Sequence, residues 1–105
     1  MATTHHVVAG QTSPYDIDLK DDGAIPSGTL GGTVTLVLET LAGVVQTLTG
    51  TVSIQDATNW RVRISPAAGD FVEGIYQGRI RVVDSSGKIA YFPNSARDKW
   101  IVHGD

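Results

Sequence analysis

Chemistry in this chain has to come from three histidines, a few arginines and scattered carboxylates, because cysteine is absent. His5 and His6 are adjacent near one end, and His103 stands near the other. Imidazole is the commonest protein ligand for metals, so the three would meet around an ion if the terminal segments lay side by side. Neighbouring residues of a strand point to opposite faces, so His5 and His6 do not converge, and no metal site is expected. Asp21-Asp22-Gly23 looks like a fragment of a calcium loop, but the other ligands of an EF-hand loop, with the Glu at its twelfth position, are missing. A polar turn is the expectation there. Carboxylates that work as acid and base must share a pocket, whereas most acids here fall in turns or on outward strand positions. No Ser, His and acid follow in an order that a known motif supports. The expectation is a protein with no enzymatic activity and no cofactor.

Arg61, Arg63, Arg79 and Arg81 alternate with apolar residues. One reading is a solvated face of weak ion pairs, with Arg61 and Arg63 on the same outer face as Asp16 and Asp18. The other is a pair of charged contact surfaces, since the planar guanidinium takes carboxylates bidentately and is enriched at interfaces. Trp60 keeps step with Val62 and Ile64 and reads as core, while Trp100 reads equally as core or as an interface anchor. Subunit contacts are therefore expected at Arg61, Arg63, Arg79, Arg81 and Trp100, together with His5 and His6 in a flexible N-terminal arm over residues 1–9. Tyr15, Tyr91 and Trp100 are the aromatic platform open to an alternative reading as a carbohydrate- or receptor-binding module.

Strands must position these groups. Gly, Thr and Val are abundant across the 105 residues, and no window has a convincing 3.6-residue period. Tyr15, Ile17 and Leu19 alternate with Asp16, Asp18 and Lys20. Val34, Leu36 and Leu38 mark a strand over Thr33–Glu39, and a return strand is expected over Val44–Leu48. The clearest signal runs from Gly74 to Asn94. Tyr76, Ile80 and Val82 share one face and Gln77, Arg79 and Arg81 the other, before an Asp84-Ser85-Ser86-Gly87 turn and a return strand over Lys88–Phe92. Trp100, Ile101 and Val102 close the chain in a last strand. Seven to nine short strands with turns every 8–12 residues point to an antiparallel β-sandwich or barrel, as one domain over residues 10–105. The run from Asp70 to Tyr76 turns that choice towards an immunoglobulin-like antiparallel β-sandwich.

Net charge is −3, with a balance of −4 over residues 1–50 and +1 over residues 51–105. A general nucleic-acid binder needs a net positive surface, so none is expected. No apolar run approaches the roughly 20 residues of a membrane span, and no membrane partner is expected. The N-terminus lacks the basic and apolar regions of a signal peptide, from which use without secretion is expected.

Asp70 and Tyr76, with Gly74 between them, have the layout of a tyrosine corner, in which the hydroxyl returns to the backbone and pins a crossover between sheets. A core Tyr after a glycine turn gives the same pattern. In their order, Gly10-Gln11-Thr12-Ser13-Pro14, the Asp21–Pro26 turn, Leu30–Val34, Ala68-Gly69-Asp70, Gly74–Val82 and Phe92-Pro93-Asn94 resemble the immunoglobulin-like N-terminal domain of bacteriophage baseplate upper proteins. The likeness spans roughly residues 10–102 and carries no enzymatic residues. It implies a virion structural protein, a scaffold module of tail, baseplate or capsid decoration made in many copies. Its partners would be other virion proteins or further copies of itself, and its place the virion.

Overall fold

In the computed structural model of the protein, which describes residues 3–20, 26, 28–46, 48–93 and 97–104, the period-2 runs become nine strands, with no helix among the described residues. They are β1 (Thr4–Val8), β2 (Tyr15–Asp18), β3 (Thr33–Thr40), β4 (Val45–Gln46), β5 (Thr51–Asp56), β6 (Arg61–Ser65), β7 (Gly74–Val83), β8 (Ile89–Phe92) and β9 (Asp98–His103). One sheet runs β1-β9-β7-β3-β4, with β8 also paired to β7, and the other runs β2-β6-β5. Alternate residues of each, among them Val34, Leu36, Leu38, Val62, Ile64, Ile80 and Val82, close one buried core. This is an immunoglobulin-like β-sandwich. The Asp21-Asp22-Gly23 turn and Asn94 lie outside the described residues.

One pairing departs from the antiparallel plan. β1 runs parallel to β9, in the register His5 to Trp100 and His6 to Ile101. The expected N-terminal arm is thus, from Thr4 onward, an edge strand. His5 and Val7 point inward and are buried, while the ladder is extended by Lys99 N–H to Thr3 carbonyl and Ala9 N–H to His103 carbonyl, at 3.0 and 2.8 Å. Of the return strand expected over Val44–Leu48, the described residues form β4; a tight turn closed by Thr40 and Val44 leads into it, and Leu48 packs against the core.

The β7–β8 turn is set by the Asp84 carboxylate. It accepts from the Ser86 N–H, the Ser86 hydroxyl and the Lys88 N–H at 2.9, 2.7 and 2.9 Å. Gly87 supplies the left-handed residue, at φ 88°.

Gly78 faces inward for a different reason. A Cβ there would stand 2.6 Å from Leu38 Cδ2 and 2.7 Å from Trp100 Cδ1. Its missing side chain is the space into which the indole of Trp100 fits.

The connection from β6 to β7 is pinned twice. Tyr76 is buried and its hydroxyl donates to the Val72 carbonyl at 2.8 Å, four residues upstream. Asp70, 3% exposed, does not bond Tyr76. It accepts from the N–H groups of Thr49, Gly50 and Ala67 and from the Thr49 hydroxyl, each at 2.8 Å. Burial alone would raise its pKa. The four donors outweigh it and hold the carboxyl at about 2.

Two outcomes follow from this packing. Asp70→Asn loses about 2–3 kcal/mol of stability at neutral pH. Because the folded pKa lies below the unfolded value, the Asp70 contribution is complete above pH 4 and disappears as pH falls from about 4 to about 2. Urea denaturation at pH 7 and at pH 3 tests both, since the gap between wild type and variant narrows at the lower pH. Gly78→Ala forces a methyl against Trp100 and costs about 1–3 kcal/mol, read as a lowered Tm.

Candidate functional site at the seam of the terminal strands

Alternation along β1 sends its two histidines to opposite sides of the sheet. His5 is 7% exposed and enters the core. Its ring stacks on Trp100 with centroids 4.4 Å apart and planes 26° apart. The Asp98 carboxylate can only accept, so His5 Nε2–H donates to Asp98 Oδ2, at 2.7 Å. In the neutral ring Nδ1 then accepts from the Tyr15 hydroxyl at 2.9 Å. Burial first, and the Asp98 charge second, push the Tyr15 phenol above its ordinary pKa, which keeps it a donor. Asp98 also accepts from the Thr3 N–H at 2.9 Å. The Asp98–His5–Tyr15 chain therefore crosses the sandwich from β9 through β1 to β2.

His6 turns outward. Its Nδ1 lies 2.9 Å from Nε2 of His103, with the two rings exposed, near-parallel at 16° and 5.2 Å between centroids. Two exposed imidazole nitrogens from opposite ends of the chain thus meet on the outer face of the larger sheet. No group of three or more His, Cys, Asp or Glu side chains suited to a metal is found among the described residues.

The residues expected at subunit contacts separate by environment. His5 and Trp100 are buried, Trp100 at 1% exposure, so neither presents a contact surface. Inward alternation and the space above Gly78 put them there. Arg61 and Arg63 face their cross-strand neighbours Asp18 and Asp16. Each guanidinium forks onto its carboxylate, with Nε at 2.7 and 2.8 Å. Those hydrogen bonds lower both Asp pKa values and raise both Arg values. Arg79 and Arg81 lie on the opposite sheet, half-buried, with the Arg79 guanidinium 4.0 Å over the Tyr91 ring. Trp60 is only partly buried. It is a turn residue at φ 54°, and its indole N–H donates to the Gly28 carbonyl at 3.0 Å.

The aromatic platform for a sugar does not assemble. Tyr15 and Trp100 pack together inside the sandwich, at 5.6 Å between centroids, while Tyr91 lies beneath Arg79. An open groove of about 320 Å³ along β3 is mainly aliphatic, with Val34, Leu36, Leu48 and Val52 among its walls.

No family profile and no curated protein matches the chain. Among solved structures, CopC from Methylosinus trichosporium OB3b is similar, with a TM-score of 0.55 and 14% identity, over 98% of this chain and 86% of that one. This likeness fixes the fold, and it names no ligand for this chain. It also corrects the expected kinship. The fold found is shared with CopC, and the resemblance to a phage baseplate domain does not stand. The virion structural role and the virion location rested on that resemblance and fall with it. Turn chemistry and strand alternation, which carried the resemblance, are common to many β-sandwiches.

The two kinds of polar contact predict different costs. Tyr15→Phe leaves the buried His5 Nδ1 without its partner and loses about 1–3 kcal/mol. Asp16→Asn breaks an exposed fork and leaves the denaturation midpoint within error of wild type. Urea denaturation of both variants checks the contrast.

Proposed function

We propose that the protein is a non-enzymatic metal-binding β-sandwich that takes one divalent transition-metal ion, Cu(II) in preference to Zn(II), on His6 and His103. The observation that carries this reading is the 2.9 Å separation of two exposed imidazole nitrogens. Cis nitrogens about 2.0 Å from a square-planar ion stand about 2.8 Å apart, whereas tetrahedral ligands stand about 3.3 Å apart. The observed spacing is nearer the tetragonal value that Cu(II) prefers. The Irving–Williams order points the same way for imidazole ligands.

Both rings project from paired strands, so the strand ladder supports their spacing. In the ion-free chain one ring donates its N–H to the other; on binding, that proton moves to the same ring's other nitrogen, because both facing nitrogens must be free of protons to hold the ion. Affinity therefore falls as pH falls. With two protein ligands, water completes the coordination sphere and the ion remains exchangeable. A non-enzymatic role is supported by the other imidazole system. His5 has an acid partner, but it lies under Trp100 and Tyr15 inside the core.

Calorimetric titration with copper(II) sulfate in a weakly coordinating buffer tests the reading, with zinc sulfate in parallel. The expected result is one equivalent of Cu(II) bound more tightly than Zn(II). His6→Ala and His103→Ala each weaken it at least tenfold, and the wild-type affinity falls when the titration is repeated at lower pH. Copper binding unchanged in both variants overturns it.

A further inference from the structure

The four strand arginines are two pairs with opposite fates. Arg61 and Arg63 are each met by a carboxylate directly across the strand. Arg79 and Arg81 form no ion pair among the described residues. Their cross-strand neighbours on β3 are Val37 and Thr35, and Arg81 faces Tyr91 on β8. Glu39, on that same face, is taken by Arg97 at 3.0 Å. The Arg79 side chain is pressed onto Tyr91, and its buried Nε has no hydrogen-bond acceptor among the described residues. A buried donor left unpaired is uncommon and calls for an explanation.

We infer that this outer face of β7 docks an extended acidic segment of another protein, with carboxylates at alternate positions lying on Arg79 and Arg81. Residues i and i+2 of a strand stand about 6.6 Å apart on one face, and a second extended chain repeats that spacing. Stacking on Tyr91 holds one guanidinium flat before the partner arrives, which reduces the ordering cost of docking. The outer ends of the two forks remain to take carboxylates bidentately. Ile75 and Ile89, 45% and 52% exposed, extend the same face and offer apolar area to the residues between the carboxylates. A second copy of this chain fits less well. Its Asp16 and Asp18 have the right spacing, but Arg63 and Arg61 already hold them. A nucleic acid fits less well too, because the chain carries a net charge of −3.

The test uses the whole protein and a dye-labelled, end-blocked peptide of twelve residues that alternates Glu and Val, read by fluorescence anisotropy. Saturable binding is expected, weakened several-fold between 50 and 300 mM salt. The double variant Arg79→Gln/Arg81→Gln weakens it at least tenfold, and Arg61→Gln/Arg63→Gln leaves it unchanged. If the first double variant fails to fold, Arg81→Lys replaces it. That change keeps the charge, removes the fork, and is expected to cost about threefold or more. Failure of the peptide to bind overturns the inference, as does equal loss in both double variants. Displacement of the peptide by a single-stranded oligonucleotide of the same charge also overturns it. Copper is absent from the assay, so its result is independent of the ion site on His6 and His103.

Discussion

The indole of Trp100 reaches from β9 over Gly78 of the neighbouring β7, with His5 stacked on it at 4.4 Å and Phe71 near-parallel at 6.3 Å. Burying an aromatic of this size supplies a large share of the apolar contact in a small core. The geometry around it is constrained by that burial. Gly78 must lack a side chain, and His5 must bring its polar edge to Asp98 and Tyr15, since a polar ring is tolerated there only when hydrogen-bonded. Those two partners belong to β9 and β2, so satisfying one imidazole joins the last strand to the opposite sheet. β1 is docked through a side chain as well as through its backbone ladder.

How much of this could be read along the chain depends on the distance over which each signal acts. Period-2 alternation is local, and it marked β2, β3, β6 and β7 with their inward residues. The Asp84–Gly87 turn is local too. The seam is not. His5 and Trp100 come together through the parallel pairing of strands at opposite ends of the chain, and no nearby residue announces that pairing. Without it, the first residues read as an arm and Trp100 stays undecided between core and surface. Alternation does separate His5 from His6. Nothing in the spacing shows that His103 lies beside His6, because that follows from the register Val8 to His103. For the same reason the donors around Asp70 come from Thr49 and Gly50, which an Asp–Tyr motif does not contain.

The arginines show how cross-strand register decides the meaning of a side chain. Arg61-Val62-Arg63 and Arg79-Ile80-Arg81 are nearly the same tripeptide in sequence. β6 lies against β2, whose outward residues are Asp16 and Asp18, so its charge is neutralised within the sheet. β7 lies against β3 and β8, whose outward residues at the matching positions are Val37, Thr35 and Tyr91. The first pair contributes a screened surface interaction of small value. The second keeps its charge, backed by an aromatic ring and flanked by aliphatic side chains, which is the composition found at the centre of protein interfaces.

The two histidines of β1 then share one mechanical dependence. His5 is buried only when β1 is docked, and His6 meets His103 only in the same state. A ligand that needs both His6 and His103 binds the docked strand and not the undocked one, so it stabilises the docked strand by mass action. An edge strand with a single neighbour is where a sandwich opens first. The outer imidazole pair is therefore placed to report on, and to reinforce, the inner Asp98–His5–Tyr15 chain, although the sheet separates them and no hydrogen bond connects them. The coupling passes through the backbone of β1.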